Sequence, residues 1–358
     1  MGNYPSPGNC PAAVWPEAEA QNVKITPIGQ RTGEFCSGDR ALLFEDPTGV
    51  RILYDPGNTV AGGTDDRLGD VHAILITHAH VDHLGSAKLN QNPDSDTASC
   101  AAAATTAASN SNTAEIAAAK RSGVIAGGPL ANVIGRLIAN VVGSATAGCG
   151  QTGLTNEFTV PRPAACIAGL GIGAKRTVRH LSATRGVQIT AVTAQHSNEL
   201  SSSFLSDPYR TELSSNTLGA YVGLANGFVI IFTNGLRVYL SGDTGLTSDM
   251  KTIVHDLYGV HLAVINMGDI FTTRPEEAAA AITSLIRPVS VIPSHAQEVA
   301  TTGGTVIAGT RTDRFINLVA PSFGRQNGRH NLSVFLPLSG VTMEFDRQGR
   351  CQTGCRGQ

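Results

Sequence analysis

The chain has 358 residues, of which 41% are hydrophobic and only 15% charged, and its 26 Lys and Arg against 28 Asp and Glu leave a net charge of −2. That length suffices for one large domain or two modest ones. The lack of a long basic run argues against a nucleic-acid enzyme, which needs positive surface to neutralise phosphates. No apolar stretch reaches the roughly 18 residues of a membrane span.

In chain order, residues 1–22 are rich in Pro, Asn and Ala and read as an N-terminal arm. Met1–Pro5 shows no signal-peptide pattern, although low charge with abundant Ala, Gly, Ser and Thr leans toward an exported protein. Val23–Ile28 reads as a strand. Ala41–Glu45 and Val50–Asp55 flank Asp46-Pro47-Thr48-Gly49, which has Pro and Gly where a hairpin turn needs them. Asp55-Pro56-Gly57 ends the second of these strands, with an Asx turn as one reading of Asp55.

The apolar run Ala73-Ile74-Leu75-Ile76 reads as a buried strand. It delivers Thr77-His78-Ala79-His80-Val81-Asp82-His83-Leu84-Gly85, three imidazoles and a carboxylate within six residues of a chain that has only 10 His. Neutral imidazoles with a compensating carboxylate are the ligands of zinc and its neighbours. His78 and His80 alternate with Ala79 and so project to one side of an extended segment. Asp82 and His83 follow as the chain turns, where they can face a second ion.

Residues 88–165 read as an insertion. Within it, Asp96–Asn112 is low in complexity and reads as a flexible loop. Leu130, Val133, Ile134, Leu137, Ile138, Val141 and Val142 then recur at helical spacing. Such a stripe is ordinary core packing, a lid or a dimer surface.

Three later strands each deliver a His or Asp into a turn: Val187–Val192 before His196, Arg237–Leu240 before Asp243, and Val289–Pro293 before His295. Leu218–Leu224, Phe228–Thr233 and Val238–Leu240 read as a meander with turns at Asn226-Gly227 and Asn234-Gly235. Pro275-Glu276-Glu277 opens a helix to about Arg287, with Pro and acids where backbone N–H groups lack partners. Residues 346–358 read as a C-terminal tail. The seven cysteines show no zinc spacing, and they stand as buried thiols or as disulfides of an exported protein, with the pairing open.

On these motifs the chain resembles the metallo-β-lactamase-fold hydrolases, whose pattern HxHxDH, then His, Asp and His is filled in order between about Val23 and Pro337. The resemblance implies an α+β fold, a four-layer αβ/βα sandwich over residues 23–345 with metals at one edge between the sheets. It implies that His78, His80 and His196 hold one ion and that Asp82, His83 and His295 hold the other. Asp243 would bridge the two, and Asp82 would also orient the nucleophile or shuttle its proton. It places Asp55 where an aspartate orients a ligand histidine by accepting its free ring N–H.

Ser241-Gly242-Asp243-Thr244-Gly245 and the segment Gly268–Ala278 look most like the ascorbate-6-phosphate lactonase branch, and Asp243 argues against a dedicated antibiotic-degrading enzyme. The function so implied is a binuclear hydrolase that attacks a lactone or other ester-like bond with a metal-bridging hydroxide. A phosphodiesterase of the same fold is the alternative, and a mononuclear iron oxygenase and a non-catalytic binding protein stand behind it. Two divalent ions are expected, Zn by ligand type, with Mn, Fe or Ni compatible. The expected partner is a small-molecule substrate, with no nucleic acid and with a homo-oligomer allowed. Ser197, Asn198 and Asp269 neighbour the motifs and are candidates for supporting the site.

Overall fold

The computed structural model describes residues 21–90, 100–150, 156–322 and 332–357. Nearly all of the N-terminal arm and Cys10 therefore lie outside the described residues. Two mixed sheets stack face to face. The first has nine strands, in the order Cys351–Thr353, Met343–Phe345, Val23–Pro27, Leu42–Glu45, Arg51–Tyr54, Ala73–Leu75, Gly123–Ala126, Cys166–Gly169 and Ala147–Gly148. The second has eight, in the order Ser333–Val334, Ser290–Ser294, Leu262–Asn266, Arg237–Leu240, Asn226–Ile231, Val187–Thr193, Lys175–His180 and Glu157–Val160.

The inner faces meet in one apolar layer that includes Ile25, Phe44, Ile52, Leu75, Ile125, Ile189, Phe228 and Leu240, all fully or almost fully buried. Helices α1 (Asn112–Lys120) and α2 (Gly128–Val142) cover the outer face of the first sheet. On the second sheet, Pro275–Ala280, which runs on through Ala281–Ile286, and Arg311–Val319 do the same. The four-layer αβ/βα sandwich is the architecture expected from the motifs. No helix among the described residues is long and apolar enough to cross a membrane.

Segment 88–165 is woven into this sandwich. Gly123–Ala126 pairs parallel with both Ala73–Leu75 and Cys166–Gly169, so it is an inner strand. The stripe of α2 is core: Leu130, Ile134, Leu137 and Ile138 are buried, at about 1.5–3 kcal/mol for each large aliphatic side chain. Residues 96–99 of the expected loop lie outside the described residues. The remainder forms Ala104–Thr106, paired with Ala87–Leu89, and then leads into α1.

Two further expectations are corrected. Cys351–Thr353 is not part of a tail, because it pairs with Met343–Phe345 as the edge strand of the first sheet. Asn226-Gly227 is not a turn but the start of the strand Asn226–Ile231, and within the expected strand 218–224 only Ala220–Tyr221 is paired, with Glu199–Leu200. The Asn234-Gly235 hairpin is present, with Gly235 at φ +93° as the tight turn requires. Among the described residues, the disulfides are Cys36–Cys100, Cys149–Cys166 and Cys351–Cys355.

Candidate metal centre

All seven expected ligands converge where the C-terminal ends of four strands meet at one edge of the sandwich. His78, His80, Asp82 and His83 follow Ala73–Leu75 of the first sheet, whereas His196, Asp243 and His295 follow three strands of the second. They form two clusters, His78/His80/His196 and Asp82/His83/Asp243/His295, with the ligand atoms of each within 4.8 Å of one another.

The motif is locked locally. His80 O accepts from His83 N and Leu84 N, closing the turn Val81–Gly85, and Gly57 N donates to His83 O at 3.0 Å. Ala79 N donates to the buried Asn198 side chain at 2.8 Å, so the residue beside His196 braces the stretch between His78 and His80. Gly242 sits at φ +60°, and a Cβ there would press on Thr77 at 3.0 Å, so the turn that carries Asp243 needs glycine to lie against the motif. Thr244 Oγ1 accepts from Gln195 N at 2.9 Å, tying the Asp243 turn to the His196 turn.

Hydrogen bonds fix the histidine tautomers. The Phe271 carbonyl can only accept, so His196 Nδ1, 3.0 Å away, carries the proton. Thr77 Oγ1 gives its proton to Asp55 Oδ2 at 2.7 Å and so accepts from His78 Nδ1 at 3.0 Å. His80 Nε2 faces Ser197 Oγ at 3.3 Å, while its Nδ1 lies 3.2 Å from His196 Nε2. His78 Nε2 and His196 Nε2 are thereby left with lone pairs, and His80 Nδ1 faces the second of them. Such ordering by outer partners is usual for ligand histidines. His78 Nε2 is buried and has no hydrogen-bond partner among the described residues, a costly state for a polar atom unless a cation fills it. Burial lowers the pKa of all three imidazoles, and neighbouring histidines lower it further, so they are neutral as metal binding requires.

Asp243, a member of the second cluster, also faces the first. Its Oδ2 lies 4.0 Å from His78 Nε2, 3.8 Å from His196 Nε2 and 3.0 Å from His295 Nε2, and its Oδ1 lies 3.2 Å from His83 Nε2. Burial works against its charge, but His83 and His295 outweigh that and hold it well below the usual carboxylate range.

The second cluster contains a residue that carries no local sequence signal. Arg40 is 7% exposed and forms an ion pair with Asp82 Oδ2 through Nη1, which also lies 2.9 Å from His83 Nε2. Burial opposes the Asp82 charge, and Arg40 and then His83 overcome it, so Asp82 is held far below its ordinary range. His83 Nδ1 donates to Asp55 Oδ2 at 2.8 Å. Burial also opposes a charge on His83, while Asp243, Asp55 and Asp82 favour it and raise its pKa to about 10. The Arg40 guanidinium, 2.9 Å from Nε2, works the other way and opposes a proton there.

Asp55 and His295 both adopt left-handed backbone, at φ +36° and +51°, a strain that folds retain at sites where geometry matters. Among the described residues Asp269 makes no hydrogen bond or ion pair to a candidate ligand; Ile270 N donates to its Oδ1, and the Phe271 carbonyl of its loop reaches His196. His72, His180, His255 and His261 stand outside both clusters, and His330 lies outside the described residues.

The family profile for the beta-lactamase superfamily domain matches residues 37–295. The chain belongs to that superfamily. It is similar to a UPF0173 metal-dependent hydrolase of Cupriavidus necator, with 32% identity over 308 residues covering 83% of this chain and 85% of that protein. A UPF0173 metal-dependent hydrolase of Cupriavidus taiwanensis is 30% identical over 305 residues, covering 83% and 86%. A solved metallo hydrolase of the archaeon Ignicoccus hospitalis shares the fold, with a TM-score of 0.53 and 22% identity over 91% of this chain and 100% of that one. The protein is thus a metal-dependent hydrolase of the beta-lactamase superfamily. The relatives' names specify no substrate.

Proposed function

We propose that this hydrolase opens a lactone or cleaves another ester-like bond at a centre with places for two divalent ions, one at His78/His80/His196 and one at Asp82/His83/His295, with Asp243 shared. The observation that carries this reading is the position of Asp243 between the two clusters, 3.8 Å from His196 Nε2 on one side and 3.0 Å from His295 Nε2 on the other. When bound, divalent ions at such a centre acidify water and polarise the bond under attack. Asp82, kept ionised beside Arg40, accepts a hydrogen bond from the attacking water and so aims it. Ser197 fixes the His80 ring, and Asp55 fixes His83.

The surroundings favour an uncharged, partly apolar substrate. Val81, Leu246, Ile270 and Phe271, in or beside the ligand-bearing turns, are 37–80% exposed, and apolar side chains displayed beside polar groups suit an acyl or lactone body. The three disulfides favour an oxidising compartment, and hence export.

The test is metal analysis of the purified protein in parallel with turnover of lactones, carboxylic esters and bis-p-nitrophenyl phosphate. The expected outcome is lactone or ester hydrolysis that His80→Ala and Asp243→Ala abolish together with metal content. Turnover of the phosphodiester alone would transfer the site to phosphodiester chemistry. A fully active Asp243→Ala protein would overturn the reading.

A further inference from the structure

The two halves of the centre are not equivalent, and the difference is Arg40. The three-histidine cluster contains nothing but neutral imidazoles around a buried, unpartnered Nε2. The other cluster already contains a cation. Arg40 Nη1 sits against Asp82 Oδ2 and 2.9 Å from His83 Nε2, two of the atoms that a second ion must take. The guanidinium is fixed there, because its side chain is 5% exposed and Arg40 Nε donates to Gly38 O at 3.3 Å.

Resting on the proposed two-ion centre, we infer that Arg40 is the resident cation of the second compartment and makes ion binding strongly unequal. One divalent ion binds tightly at His78/His80/His196 with Asp243 beside it, and a second binds only by displacing Arg40 from Asp82 and His83. Asp82 and Asp243 face this space and Asp55 backs it from behind the His83 ring; one guanidinium and one divalent ion neutralise these three carboxylates in full. A second ion would add two positive charges to a balanced site. It would also part Arg40 from Asp82, the only carboxylate in ion-pair contact with it among the described residues, leaving a buried cation without its partner. Arginine suits this role better than lysine because it keeps its charge under burial and can donate to two acceptors at once.

The experiment is a titration of the chelator-stripped full chain with Co²⁺ and with Zn²⁺, read by calorimetry and, for Co²⁺, by ligand-field absorption. The wild type is expected to show one tight equivalent and a second at least tenfold weaker. In Arg40→Met and Arg40→Gln the second step tightens at least tenfold and the first is unchanged. Two equal steps in the wild type, or a second step unmoved in folded variants, would overturn the inference. Crystals of the wild type soaked in limiting and then excess Co²⁺ give the same answer without a variant: anomalous density in the three-histidine cluster alone at limiting metal supports it, and density in both clusters refutes it. His80→Ala keeps the two readings apart. If the wild type binds no ion, or His80→Ala leaves the first step intact, the proposed centre itself fails, whereas equal binding in both halves removes only the role of Arg40.

Discussion

Asp55 Oδ2 stands 2.8 Å from His83 Nδ1 and turns the other nitrogen of that imidazole toward Asp243. The same carboxylate accepts from Thr77 Oγ1, whose oxygen in turn orients His78. One buried aspartate therefore sets a ligand in each cluster. Asp55→Asn tolerates the left-handed backbone at this position but removes the charge and one acceptor. Metal affinity is expected to fall about 10–100-fold, the usual cost of losing such an outer partner. Competition titration against a chromophoric chelator measures it, and unchanged affinity would refute the relay.

Gly268 lies beneath His295. A Cβ on Gly268 would stand 2.5 Å from His295 O and 2.6 Å from its Nδ1. Its φ lies outside the left-handed region that favours glycine, so Gly268→Ala displaces the histidine without demanding a forbidden backbone. Catalysis is expected to drop by about 100-fold, as small misplacements of catalytic groups can cause, while the first equivalent of metal still binds. Kinetics together with the metal isotherm decide. A variant with full activity would show that His295 can shift freely.

At the opposite end of the second sheet, His261 lines a cavity of about 550 Å³ with Arg185, Arg237 and Arg347. Burial first, and then Arg237, lowers its pKa from 6.5 to about 4, and its Nδ1 accepts from Arg237 N at 3.3 Å. A depressed pKa in the folded state means that the unfolded chain takes up the proton first. The stability contributed by the neutral ring is thus complete above pH 6.5 and lost as the pH falls through 4, a difference of about 3 kcal/mol. His261→Gln should flatten that stretch of the stability curve, as read by denaturant melts at several pH values; an unaltered acid slope would refute it.

Cys36 and Cys100 are 64 positions apart in sequence, and the loop they close contains Arg40, Asp55 and the whole HxHxDH motif. Chain entropy gives such a loop about 4 kcal/mol, against about 2 kcal/mol for the short loop closed by Cys351 and Cys355. Replacing Cys36 and Cys100 together by alanine should therefore lower the unfolding free energy more than replacing the C-terminal pair. Equal losses in denaturant titration would contradict the chain-entropy account.

The candidate ligands were legible in the sequence because each stands at the end of a readable apolar strand and four of them crowd into one short motif. Asp55 was legible only through the resemblance. Arg40 and the Phe271 carbonyl were not: Arg40 follows an ordinary polar stretch, a backbone oxygen has no sequence signature, and both reach the site through tertiary approach. The strand Gly123–Ala126 was hidden for another reason. Four residues in an Ala- and Gly-rich region show neither alternation nor a long apolar run, and only their pairing between Ala73–Leu75 and Cys166–Gly169 makes them a strand. Asn226-Gly227 misled because a dipeptide suited to a turn was taken into a ladder with Val192 and Thr193.

The candidate ligands come from both sheets, with His78 and His80 following a strand of one and His196 a strand of the other. An ion held by these three is a stitch across the open seam of the sandwich, and its binding free energy is added to the cohesion of the two halves. Chelation should thus loosen this edge first. Backbone amides in 77–85 and 195–200 would exchange with solvent faster in the stripped protein, while those in the strands around Phe44 and Phe228 keep their protection.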